Sequence, residues 1–93
     1  MAALRQTNKL TTIGTPGHIV VVGIDGTPDA LKRIRAGTED ATVNQDPFKM
    51  GAMAVDSAID AIDGKTVPKQ QLLPPTLVTK ANVDDPKLWG NRF

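Results

Sequence analysis

The sequence predicts an α/β fold, and three observations carry that prediction. Residues 18–25 (His-Ile-Val-Val-Val-Gly-Ile-Asp) are β-branched and apolar on both faces. A strand that can bury both faces is characteristic of a parallel sheet flanked by helices. Two later segments start helices in the same way, with a capping residue followed by proline: Thr27-Pro28 and Asp46-Pro47. Short β-branched stretches separate these helices, so strand and helix alternate along the chain, as right-handed crossovers require.

Taken in order, residues 1–9 carry good helix formers (Ala2, Ala3, Leu4, Arg5, Gln6) with no capping residue ahead of them, and read as the end of a helix. Gly14, Pro16 and Gly17 make 11–17 a loop. Asp25-Gly26 ends the first strand. In the helix that begins at Pro28, Ala30, Leu31 and Ile34 form an apolar stripe, Lys32, Arg33 and Arg35 face water, and Gly37 is the stop. Residues 41–45 are a short second strand. The helix predicted over 47–63 is the most periodic element, with Gly51, Ala54, Val55, Ala58, Ile59 and Ile62 on one face. That face is expected to point inward, so Ile59→Ala should cost roughly 2–5 kcal/mol. Residues 65–75, with Pro68, Pro74 and Pro75, cannot be a central strand. Residues 76–79 form a third short strand, and the remainder is an irregular tail. Three short strands are few for a free-standing parallel sheet, and the elements read as part of something larger.

Composition narrows the function. Ninety-three residues allow one small domain. With 11 basic and 10 acidic side chains, the net charge of +1 provides no electrostatic pull toward nucleic acid or a membrane surface. The absence of cysteine excludes disulfides, a thiol nucleophile and cysteine-held zinc, and one histidine excludes a multi-histidine metal site. No cofactor is expected. The longest apolar run, residues 19–22, is far shorter than the ~20 residues of a membrane span, and the first ten residues do not form a signal peptide. Aromatics are scarce (Phe48, Trp89 and Phe93), which disfavours a stacking platform for bases.

Two positions are candidates for ligand binding. Asp25 ends a buried strand beside a helix N-terminus, on the edge of an α/β sheet where ligands sit. A carboxylate there can accept from two neighbouring hydroxyls, as a sugar or polyol presents them; an aspartate that only caps the turn fits the local sequence equally well. Gln45, at the end of the second strand, offers one acceptor and two donors, or is simply a strand-end amide satisfied by backbone or water. His18 has no second ligand nearby and reads as a surface side chain. Asp56, Asp60 and Asp63 read as a solvated helix face. Ser57 and Thr27 have no base near them in sequence, so no catalytic residue is assigned, and Gly23-Ile24-Asp25-Gly26 lacks the three-glycine phosphate fingerprint.

The segments 21–31 (Val-Val-Gly-Ile-Asp-Gly-Thr-Pro-Asp-Ala-Leu), 41–47 (Ala-Thr-Val-Asn-Gln-Asp-Pro), Met50-Gly51, 63–65 (Asp-Gly-Lys) and 76–83 (Thr-Leu-Val-Thr-Lys-Ala-Asn-Val) resemble the ribose-type periplasmic sugar-binding proteins of bacterial ABC transporters, in the family's order and spacing. The resemblance implies a partial type I periplasmic-binding fold of carboxy-terminal character, truncated relative to the two-lobed family. It places residues 1–45 in the C-terminal lobe, 46–76 in the N-terminal lobe, and 77–93 in a hinge return and tail. Asp25 resembles the family's aspartate that accepts from sugar hydroxyls, and Gln45 its hinge-side glutamine; Asn44 stands where the family varies. The family's sugar-sandwiching aromatics and its pocket arginine and asparagine have no counterpart, and Phe48 reads as a packing residue. The implied ligand is a monosaccharide or polyol, the implied partner a membrane permease, and the implied location the periplasm, with binding rather than catalysis as the activity. The lactose-repressor family shares the fold, and a ligand-binding lobe of that kind is the alternative, although its motif usually carries a second acidic residue where this chain has Gly26. A truncated product acting only through self-association is the remaining reading, since sheet edges without neighbours invite pairing.

Overall fold

The structure, a computed structural model, describes residues 1–93. In order, it contains α1 (Ala2–Gln6), β1 (Val22–Asp25), α2 (Pro28–Ala36), β2 (Ala41–Asn44), α3 (Pro47–Ile62), β3 (Thr76–Val78) and a 3-10 turn, Trp89–Asn91. The sheet order is β1-β2-β3. β1 and β2 are parallel, with Val22 opposite Ala41 and Asp25 opposite Asn44. β3 runs antiparallel to β2, with Thr42 opposite Val78 and Asn44 opposite Thr76. The sheet is therefore mixed, where an all-parallel one is expected from the sequence. The cause is topological: the chain leaves β2 at its carboxyl end, runs out along α3, and returns to that same end, so the returning strand must point the other way.

α2 forms as its sequence dictates. The Thr27 hydroxyl accepts from the Ala30 amide at 3.2 Å, Pro28 occupies the first turn, and Gly37 closes the helix at φ +82°. Its buried face of Ala30, Leu31 and Ile34 covers one side of the sheet, above Thr42 and Val78, both fully buried. The core joins Leu31 and Ile34 to Val78, Val83 and Leu88. The tail is thus irregular in backbone, yet it supplies two of the five core side chains. Arg33 and Arg35 fasten α2 at its end, pairing with Glu39 at 2.8 Å and Asp84 at 2.7 Å.

Several expectations need correction. The first strand begins at Val22 rather than His18, because β2 begins at Ala41, opposite Val22; before it, Asp40 meets Val21 and His18 through its amide and carboxylate instead of a strand ladder. Burial on both faces does not hold either: Val20, Val22 and Ile24 are 68%, 59% and 67% exposed, since α2 covers one face only. His18 is no free surface residue. Its side chain is 11% exposed, with Nε2 2.9 Å from Asp40 Oδ2 and Nδ1 3.1 Å from the Thr11 hydroxyl.

Asp40 also accepts from the Val21 amide at 2.9 Å. That bond first, and the His18 ring second, hold its carboxyl below the ordinary value of 3.8. A carboxylate whose folded pKa is depressed contributes stability above its unfolded value and loses it as pH falls through the folded one. Below about pH 4 the clasp is therefore expected to weaken. In an acid titration followed by circular dichroism, Asp40→Asn should flatten the dependence in that window; a curve unchanged by the substitution would remove Asp40 as a contributor.

The largest departure is α3. It starts as predicted, with Asp46 accepting from the Lys49 amide at 3.1 Å, but none of its residues is buried. Val55, Ile59 and Ile62 are 59%, 50% and 83% exposed, so the face predicted to point inward is open to solvent. The 63–75 connection folds back along the flank near Met53 and Ser57, where the Gln71 amide donates to the Ser57 hydroxyl at 2.8 Å. A compact chain of this length has a radius of gyration of about 12 Å; here it is 17.6 Å, with extents of 59 × 24 × 18 Å. Periodicity identified the stripe correctly, but no element lies over it. Ile59→Ala is accordingly expected to cost under about 1 kcal/mol, and a loss above about 2 kcal/mol in urea unfolding would show that the face is covered in solution.

Candidate functional site

The parallel pairing of β1 with β2 brings both sequence-predicted residues to one edge. Asp25 is the last residue of β1, and Gln45 directly follows β2. Because Asp25 stands opposite Asn44, Gln45 reaches it diagonally, and its Nε2 donates to Asp25 Oδ1 at 3.0 Å. Both side chains are exposed. Asp25 Oδ2 and Gln45 Oε1 accept no bond within the chain, so the pair presents two adjacent acceptors to solvent. Two neighbouring hydroxyls match that arrangement.

The backbone beneath them is unusual. Asp25 has φ +97° and Gly26 φ +68°, so two consecutive residues lie in the left-handed region, the first of them not a glycine. Strain of that kind costs about 1–3 kcal/mol and persists only where the surroundings over-determine it. Here the Gly26 amide donates to the buried Thr42 hydroxyl at 3.2 Å, and the Asp25 carbonyl accepts from the Trp89 indole at 2.8 Å. Asn44, 7% exposed, packs beneath Gly26, its buried Oδ1 without a partner. A side chain at Gly26 would strike that oxygen.

All three aromatics converge beside this turn. Trp89 and Phe93 meet edge to face at 6.0 Å, Phe93 lies 6.5 Å from Phe48, and the Arg92 guanidinium sits 5.0 Å over the Phe48 ring. Phe48 is thus half exposed in a surface string rather than packed in the core. A hollow of about 480 Å³ adjoins Gln45, lined by Asn44, Asp46, Lys49, Gln71 and Thr76; Asp25, an exposed residue, does not line it. Sequence reading singled out Asp25 and Gln45, which the structure brings together, but not Thr42 or Trp89. Thr42 carries no signal beyond its place in a strand. Trp89 lies 64 positions from Asp25, and only the docking of the tail on α2 brings them together.

Comparison with known proteins places the chain in a family. Residues 1–66 match the periplasmic binding protein domain, and the chain belongs to that family. The ribose import binding protein of Bacillus subtilis (strain 168) is 40% identical over 72 residues, covering 76% of this chain and 24% of the relative. The D-allose-binding periplasmic protein of Escherichia coli (strain K12) is 37% identical over 67 residues, covering 71% and 22%. Among solved structures, an ABC transporter solute binding protein from Bacillus halodurans with bound myo-inositol superposes with a TM-score of 0.78 at 34% identity, covering 99% of this chain and 29% of that one. The fold is that of part of a type I periplasmic binding protein. The chain spans about a quarter of the length of the relatives it matches.

Proposed function

We propose that the chain supplies one wall of a sugar- or polyol-binding cleft in a solute receptor of an ABC transporter. Asp25 and Gln45 accept from vicinal hydroxyls, and the activity is binding, without chemistry. The observation that carries this reading is the Gln45–Asp25 bond at the carboxyl edge of two parallel strands, in a chain whose relatives are named for ribose and allose. On the same reading the location is the periplasm, the partner a membrane permease, and residues 46–76 belong to a lobe distinct from 1–45, with 77–93 returning across the hinge.

Affinity of the 93-residue chain alone is expected to be weak. Hydrogen bonds to a charged group contribute roughly 1.5–3 kcal/mol and neutral ones ~0.5–1.5, while even millimolar binding needs a surplus of ~4 kcal/mol. An exposed pair loses most of its advantage to water. Proton–nitrogen NMR with ribose, D-allose and myo-inositol at up to roughly 100 mM, an affinity of about 1.4 kcal/mol, should shift the Gln45 side-chain amide. Asp25→Ala should abolish the shift. Perturbation confined to other residues, or a shift that survives Asp25→Ala, would overturn the assignment.

The open faces favour a second reading, self-association. Ile24, Leu77, Val55 and Ile62 are all more than half exposed, and a second copy offers the same apolar surface in return. Sedimentation at rising concentration should then show mass growing above the 9.9 kDa monomer; a strict monomer throughout would exclude it.

A further inference from the structure

We infer that Trp89 is a positioning residue for the Asp25 carboxylate, acting through the peptide plane that joins Asp25 to Gly26. This deepens the proposed function and rests on its assignment of Asp25. The Asp25 carbonyl and the Gly26 amide belong to one peptide group, and both polar ends are held by side chains: the carbonyl by the Trp89 indole at 2.8 Å, the amide by the Thr42 hydroxyl at 3.2 Å. A peptide plane pinned at both ends cannot flip: the two bonds fix ψ of Asp25 and φ of Gly26, and with Asp25 paired opposite Asn44 on the strand side they hold the residue in place at φ +97°, its side chain 3.0 Å from Gln45. Released at either end, the plane is free to rotate about ψ of Asp25 and φ of Gly26, the chain on that side of Asp25 loses its anchor, and the carboxylate is no longer held against Gln45.

The indole is itself held in register. A Cβ on Gly90 would lie 2.6 Å from the Gly26 carbonyl oxygen and 2.7 Å from Leu31 Cδ1, so the tail backbone lies directly on the turn and on α2. Asn91 anchors the next residue, its amide donating to the Val83 and Asp85 carbonyls, both at 2.8 Å. On the far side Phe93 closes on Trp89 edge to face. The tail therefore does more than complete the core: it delivers one N–H to the carbonyl that sets the conformation of the ligand-facing aspartate.

The test is Trp89→Phe in the 93-residue chain, which keeps an aromatic ring and removes the donor. Two readouts report the site without any sugar: the two-bond coupling between the Gly26 nitrogen and Asp25 Cα, which depends on ψ of Asp25, and the Gln45 side-chain amide shift. Trp89→Phe is expected to change the coupling and to move the amide to the position of a free glutamine, with far-ultraviolet circular dichroism unchanged. Thr42→Val, which releases the other end, should do the same. An unchanged coupling with Gln45 undisturbed in Trp89→Phe would overturn the inference and leave only a packing role. Should that variant not fold, exchange of the Trp89 indole proton in the unaltered chain decides: slower than in free tryptophan is expected, and the free rate overturns it. Failure here leaves the sugar titration of Asp25→Ala untouched, and failure of that titration leaves these readouts intact.

Discussion

Leu31→Ala is expected to cost about 3–5 kcal/mol, the range for a fully buried leucine replaced where the surroundings cannot collapse. Leu31 is 0% exposed: it lies on α2, belongs to the five-residue core cluster with the tail residues Val83 and Leu88, and abuts Gly90. Few other buried side chains could close the void, because α3 and the open face of the sheet add nothing to the interior. A small domain has about 5–15 kcal/mol of total stability, and a chain with this little core stands at the low end. In urea, with a slope of about 1–2 kcal/mol/M, the midpoint should fall by roughly 2 M or disappear altogether. A shift below about 0.5 M would mean that α2 does not organise the core.

Gly26→Ala is the second large effect, and it combines two costs. Alanine at φ +68° carries the left-handed penalty of about 1–2 kcal/mol. Its Cβ would also meet Asn44 Oδ1 and lie 3.1 Å from Asn44 Cβ, and Asn44 is 7% exposed with the sheet behind it. Overpacking of this kind adds about 1–3 kcal/mol. Gly64→Ala provides the control: Gly64 has φ +77° with nothing within 4 Å of a new Cβ, so it should show the backbone penalty alone. Urea unfolding of both variants separates the two terms, and equal losses would show that Asn44 yields freely. The Gln45 amide should shift in Gly26→Ala and stay fixed in Gly64→Ala.

How much of this was legible before the structure depends on the range of the interaction involved. Thr27-Pro28 and Asp46-Pro47 start helices because cap and proline act within one turn, and both caps form as predicted. The stripes on α2 and α3 are equally local. Asp25 and Gln45 were visible as strand-end polar residues, since the end of a strand is marked by its own neighbours.

What local sequence could not decide is which faces find partners. The stripes of α2 and α3 have the same spacing, yet one is buried and the other open, because burial depends on a second element arriving from elsewhere in the chain. β3 has the β-branched character of any strand, and its antiparallel direction comes from the path of 46–75. The tail looks irregular and is irregular, but Val83 and Leu88 fill the core and Trp89 reaches Asp25 across 64 positions. The amino-acid sequence by itself determined the helices, their caps, the strand ends and the two polar residues at the edge, all interactions that close within a few residues. The tertiary structure alone decided the mixed sheet, the bare α3 and the pinned Asp25–Gly26 peptide, because hydrogen bonds and apolar contacts between distant residues exist only once the chain has brought them within reach.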